Sequence, residues 1–235
     1  MMKLKFIEIG TSNFDTMAHL LANGSIKLSD DERAMSIEPM SEYLNQLPDN
    51  KKLIKLCCAI VTDPDKKKEK FFYVSPKTIA QQGFPNAKSL RGSNSVGKPH
   101  ILHTHYMSKH NDYFGSDIED LGQFKTRNLV EEGLVTIEEV DCLTWTSLID
   151  NYSIDYVEHV KLDVEGMDID VVEMILEYYQ DNPNKKSPKF IDFEVNKTVA
   201  IERRTGVLWK QFIDFTVECG YKLEKIGPAD YRLSR

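Results

Sequence analysis

The sequence predicts an α/β fold: an open, mostly parallel sheet covered by helices on both faces. Three observations predict it. Strand-like and helix-like segments alternate at both ends of the chain, and Leu53 to Val61 is continuously apolar, as a parallel strand buried on both faces must be. Near the end, Tyr221 to Ile226 and Tyr231 to Leu233 flank a Gly227-Pro228-Ala229-Asp230 turn, which reads as an antiparallel β-hairpin. Strand-helix-strand units joined by right-handed crossovers stack as a three-layer αβα sandwich.

Taken in order, Lys5 to Ile9 is a strand closed by Gly10, and Asp15 to Leu21 is helical with Met17, Leu20 and Leu21 on one face. Ala34 to Glu38 is a second strand ended by Pro39, Ser41 to Leu47 a short helix, and Leu53 to Val61 the third strand. Lys66 to Lys70 reads as a solvated turn before a strand at Phe71 to Val74. From Ser75 to about Thr136 the periodicity fades, Gly, Ser, Asn and Asp are frequent, and four of the six histidines fall there, which marks a polar insert for acceptor binding. Regular structure resumes with the strand Val140 to Trp145, a helix at Thr146 to Tyr152, the strand Val157 to Leu162 and a helix from Asp168 to Tyr179. The strand Lys189 to Val195 and the helix Val207 to Cys219 lead into the hairpin.

Composition narrows the function classes. A length of 235 residues predicts one domain, 1–235, and neither a repeat nor a linker divides it. The net charge of −7 argues against nucleic acid and anionic membranes as partners. With 41% hydrophobic and 29% charged residues the chain is a folded one, and its longest apolar runs are too short to span a bilayer, so no membrane insertion is expected. Met1 to Glu8 lacks the apolar stretch of a signal peptide, and Cys57, Cys58, Cys142 and Cys219 read as reduced thiols, Cys57 and Cys58 being the two faces of one buried strand. A cytoplasmic protein is expected, either whole or as a module of a larger one.

In doubly wound sheets ligands bind beyond the carboxyl ends of the strands, and four clusters fall there. In Glu8-Ile9-Gly10-Thr11-Ser12-Asn13-Phe14-Asp15, Gly10 permits a tight turn, while Ser12 and Asp15 stand where a dinucleotide fingerprint needs glycine. A nicotinamide oxidoreductase is disfavoured on that ground, and a cationic ligand is favoured by Glu8 and Asp15. Glu38, 28 residues after Gly10 and followed by Pro39, is placed to accept both hydroxyls of a ribose. Asp163 and Glu165 alternate past a strand end around Gly166, whereas Asp168 reads as a helix cap. Glu194 and Asn196 follow the next strand and, with Asp163, make an oxygen-rich trio suited to Mg²⁺.

These residues resemble the FkbM-type methyltransferases, class I enzymes dependent on S-adenosylmethionine. The likeness rests on Glu8 to Thr16, Ile37-Glu38-Pro39, Cys58-Ala59-Ile60, Gly92 to Ser95, Val140 to Leu143, Lys161 to Gly166 and Phe193 to Val195, and it spans nearly the whole chain. It implies a Rossmann-like, seven-stranded sheet ending in a β-hairpin and O-methylation of a sugar or glycan hydroxyl, or of a related small polar acceptor. Of the cofactor residues Glu8, Gly10, Thr11, Ser12, Asn13, Asp15, Glu38, Pro39, Cys58, Ala59 and Asp163, it sets Glu8, Gly10 and Ser12 beside methionine, Glu38 on the ribose and Cys58 with Ala59 on adenine. Asp163 falls near the sulfonium and the acceptor. Glu8, Ser12 and Phe14 depart from the family's usual Asp, Asn and Gly. The insert supplies the further catalytic candidates: with Ile101 to Tyr106 extended, His103 and His105 share one face and an imidazole takes the hydroxyl proton, with Arg91, Asn94 and Tyr106 as contacts. The competing reading is a binding module that keeps the fold without catalysis.

Overall fold

A computed structural model of the chain describes residues 2–11, 16–84, 87–106, 127–195 and 206–235, with backbone alone at 87–89, 101 and 206–208. Ser12, Asn13, Phe14, Asp15, His110 and Asn196 lie outside the described residues.

The molecule is a mixed α/β structure with one large, mostly parallel sheet and a second, smaller sheet. Five of the strands of the large sheet are mutually parallel: β1 (Met2–Ile9), β2 (Glu32–Ile37), β3 (Leu53–Leu56), β8 (Ile154–Leu162) and β9 (Phe190–Glu194). Beyond β9, β10 (Lys222–Lys225) and β11 (Asp230–Ser234) pair antiparallel with each other, and β11 runs antiparallel to β9, giving the order β10-β11-β9-β8-β1-β2-β3. The chain goes from β1 outward through β2 to β3 and then returns to β8 on the other flank of β1. The crevice between the carboxyl ends of β1 and β8 is therefore the topological switch point.

Hydrophobic periodicity explains the cover of this sheet. Helices α6 (Trp145–Asn151), α7 (Asp168–Asp181) and α8 (Gly206–Glu218) bury Trp145, Leu148, Val172, Ile175, Leu176 and Phe212 in one cluster with Leu4, Ile7, Met35 and Val160 of the strands. Helix α1 (Met17–Ala22) packs Met17 and Leu21 on Phe6 and Ala34, a separate cluster, while α2 (Ser41–Gln46) joins Ala18 through Leu44. Two of these helices, α1 and α6, start on hydroxyl caps. Thr16 accepts from His19 N–H, and Thr144 from Ser147 N–H. Among the described residues no helix is long and apolar enough to cross a membrane.

Two readings of the sequence change here. The apolar run Leu53 to Val61 is not one strand: β3 ends at Leu56, the chain turns at Cys57-Cys58, and β4 (Ala59–Ile60) pairs with Cys142 and Leu143 of the second sheet. Cys57 is consequently exposed and only Cys58 is buried. The lysine run is likewise not all turn, because β5 (Lys68–Tyr73) already starts within it. β5 lies antiparallel to β7 (Thr136–Leu143), so Lys68 and Lys70 face the acidic stretch Glu138 to Asp141, and Lys68 Nζ meets Glu139 at 3.0 Å. Opposite charge across the ladder makes a strand out of what local composition reads as a loop.

The second sheet, in the order β4-β7-β5-β6 with β6 (Ser95–Val96), takes in residues on both sides of the expected 75–136 insert. Helices α3 (Pro76–Gln82), α4 (Ala87–Gly92) and α5 (Ile101–Thr104) lie between its strands in sequence, and Ile79, Leu90, Tyr106 and Leu129 form its own small core.

Candidate functional site

At the switch point, the end of β1 and the turn after β8 nearly touch. Gly10 has φ +77°, and a Cβ there would lie 1.9 Å from the carbonyl oxygen of Asp163, so only glycine fits. Backbone bonds lock this approach: Asp163 N–H donates to Ile9 O at 2.9 Å and Gly10 N–H to Ile37 O at 2.9 Å. Around it opens a cleft of about 630 Å³ of empty space, part of it facing solvent. Gly10, Glu38, Pro39, Cys58, Ala59 and Asp163 all line it. Phe71, Ser95 and Val96 of the second sheet, with Gly92 at the end of α4 and Asn94 between α4 and β6, close its far side.

Glu38 is buried at the end of β2, and one of its oxygens accepts the N–H of Met40 at 2.9 Å, which fixes the carboxylate toward the cleft wall. Beside it, Pro39, Cys58, Ala59, Ile60 and Phe71 form an apolar slot in which burial pushes the Cys58 thiol up to about 12, so this sulfur stays a neutral packing group. Asn94 Nδ2 donates to Arg91 O at 3.3 Å, whereas its buried Oδ1 has no hydrogen-bond partner among the described residues.

The turn after β8 carries a cluster of acids. Asp163 stands at the mouth, walled by protein yet reached by solvent, and burial outweighs Lys161 in raising its pKa. Glu165 adopts φ +48°, a strained conformation for a residue other than glycine, and places its carboxylate 3.5 Å from His100 Nε2. Burial, reinforced by Asp163, Glu194 and Asp168, lifts Glu165 well above the ordinary carboxylate range. Asp168 is not simply a cap: fully enclosed, it accepts N–H groups from Gly166 at 3.2 Å, Val164 at 3.4 Å and Glu194 at 3.5 Å, tying the turn to β9. Burial and its acidic neighbours push both Asp168 and Glu194 up to about 7. Glu165, Met167 and Phe71 are cleft residues that the sequence did not assign to the cofactor. The signal for Glu165 was its alternation with Asp163; Phe71 carried none, since it belongs to the second sheet.

Other candidates lie elsewhere. Glu8 does not line the cleft: its Oε1 accepts Lys161 Nζ at 2.8 Å and its Oε2 the N–H of Met17 at 2.8 Å, so it joins β1, β8 and α1. Burial raises its pKa against the pull of Lys161. Thr11 is buried behind Gly10 with Oγ1 unpartnered. The common face expected of His103 and His105 is absent, because Ile101 to Thr104 is a helical turn and residues two apart diverge on it. His103 is 0% exposed, stands 3.3 Å from Ser93 Oγ, and is pushed down to about 3 by burial and by neighbouring His100. His105 is exposed beside Thr104 and is not part of the cleft wall. Among the described residues no three His, Cys, Asp or Glu side chains are placed to hold a metal ion.

No family model matches the chain, and neither does any curated protein or solved structure. The functional reading therefore rests on the cleft itself.

Proposed function

We propose that the chain is a methyltransferase that uses S-adenosylmethionine to methylate a hydroxyl of a sugar, a glycan or a similar small polar acceptor. With it goes the finer fold reading, a Rossmann-like three-layer sandwich whose seven-stranded sheet ends in a β-hairpin. One observation carries the proposal: six of the expected cofactor residues, drawn from four separate stretches of sequence, line a single cleft at the switch point.

The residues suit the cofactor. Glu38 offers a buried acceptor for a ribose diol, the slot from Pro39 to Phe71 suits a purine, and the unpartnered Oδ1 of Asn94 is an acceptor awaiting a donor. The surplus of carboxylates favours a ligand bearing sulfonium and ammonium charges over one bearing a pyrophosphate. When bound there, S-adenosylmethionine supplies an electrophilic methyl group to a nucleophilic oxygen. Asp163 orients the acceptor hydroxyl and takes its proton, a duty for which a raised pKa improves a carboxylate. The apolar slot and Met167 exclude water. Mg²⁺ held by Asp163, Glu194 and Asn196 belongs to the same proposal, but no step depends on it, and chelation tests it directly.

The deciding experiment is calorimetric titration with S-adenosylhomocysteine. Binding in the micromolar range is expected, and Glu38→Ala should weaken it about tenfold or more, since the ribose hydroxyls lose a buried acceptor worth roughly 1–3 kcal/mol. Absence of binding by the unmutated protein overturns the cofactor. Transfer of labelled methyl to protein but to no saccharide overturns the acceptor class.

A further inference from the structure

The opposite end of the large sheet carries a second concavity, unconnected with the proposed methyl transfer. Tyr156 near the start of β8, Leu176 and Tyr179 of α7, Tyr221, and the segment from Pro183 to Lys189 enclose about 1280 Å³ of empty space, part of it open to solvent. Asp163, just past the end of β8, is seven steps along the chain from Tyr156, so this groove lies about 23 Å from the cleft at roughly 3.3 Å per residue.

Its charge is the reverse of the cleft's. Lys185, Lys186, Lys189 and Arg235 line it, with Glu218 as the acid in the wall. Elsewhere in this acidic chain many cations meet carboxylates: Lys5 meets Glu158 at 2.9 Å, Lys161 meets Glu8 at 2.8 Å, and Arg232 meets Asp192 at 2.7 Å. Among the described residues none of the four groove cations makes an ion pair. Lys186 Nζ instead sits 4.3 Å above the ring of Tyr156, and Arg235 Nη1 donates to Ser187 Oγ at 2.6 Å, contacts that place the charges and leave N–H groups free.

The frame beneath them is fixed. Lys186 bridges to Tyr156 as an isolated parallel rung, Lys189 N–H donates to Glu158 O at 2.8 Å, Arg235 N–H to Lys189 O at 3.1 Å, and Tyr221 Oη donates to Pro188 O at 2.6 Å. A preorganised group of unpaired cations selects a multiply charged anion, and fork-shaped Arg beside Lys suits phosphate. The space exceeds what phosphate alone would fill. The half-buried faces of Tyr156 and Tyr179, with Leu176 and Pro183, form an apolar shelf for a planar ring.

We propose that this groove binds a nucleoside di- or triphosphate, its phosphates on Lys185, Lys186, Lys189 and Arg235 and its base against Tyr156 and Tyr179. Titration of the whole chain with ATP and with inorganic pyrophosphate tests it. ATP should bind, more tightly than pyrophosphate, and Lys186→Glu with Lys189→Glu should weaken it about tenfold or more. The milder Lys186→Gln with Lys189→Gln, checked for an unchanged circular dichroism spectrum, should weaken it in the same direction and less. ATP affinity equal to that of pyrophosphate removes the base shelf. No binding at millimolar ATP, undiminished binding in both lysine variants, or binding lost in Glu38→Ala but kept in the lysine variants overturns the proposal.

Discussion

At single residues, the tightest constraint in the molecule is Gly10. A methyl group there has no room beside the Asp163 carbonyl, and the positive φ would add strain even if it had. Gly10→Ala should therefore cost about 3 kcal/mol or more, lowering Tm by roughly 6–12 °C in a chain of this size. Thermal unfolding followed by circular dichroism measures it, and a loss under 1 °C would mean that β1 and the Asp163 turn separate easily. The need for glycine was legible, since it closes a strand before a helix. The role of Glu8 was not: a carboxylate at a strand end looks available until Lys161, 153 residues later, lies beside it on the neighbouring strand.

Among elements, the backbone ladder between β9 and β11 is reinforced by one half-buried acid. Asp192 receives two N–H bonds from Arg232, each 2.7 Å, and stands 2.9 Å from His159 Nε2. Although burial pushes its carboxyl up, Arg232 and His159 hold it down at about 2. Asp192→Ala removes both bonds of a guanidinium that is still one third exposed and should cost about 1–2 kcal/mol, with amide exchange in β10 and β11 rising before that in β1. Uniform exchange across the sheet would show that the joint is not a local one. The central strands β1, β2 and β8 were legible from their apolar runs and the hairpin from its Gly-Pro turn, whereas the run Leu53 to Val61 misled, since its two halves belong to different sheets. The second sheet was not, because β4 and β6 are two residues long, β6 pairs with β5, and β4 and β5 take their partners from β7, up to 83 residues away.

For the whole molecule, the two buried histidines make folding sensitive to acid. Burial holds His100 down at about 4 and His103 at about 3, whereas the unfolded chain protonates near pH 6.5. Their contribution is thus complete above pH 6.5 and is lost as pH falls toward 4, because unfolding takes up protons that the native rings refuse, whereas the raised carboxyls of Glu165, Asp168 and Glu194 work in the opposite direction, favouring the folded state at lower pH. His103→Gln should lose less stability than the unmutated protein between pH 7 and pH 5, by about 2 kcal/mol or roughly 4–8 °C in Tm. Parallel Tm curves for the two proteins would show that His103 charges without unfolding. The sequence by itself determined the fold class, the order of the major strands and the turn residues at the end of the sheet. These follow from periodicity and backbone preference, which act over a few residues. Only the tertiary structure decided which acids reach the cleft. Glu38 and Asp163 reach the cleft, Glu8 is spent on Lys161 and a helix start, and Asp168 is enclosed as a tie between turn and strand. The physical reason is that a carboxylate's role depends on burial and on the charges and N–H groups around it, and those are brought from distant parts of the chain by the crossovers of the sheet.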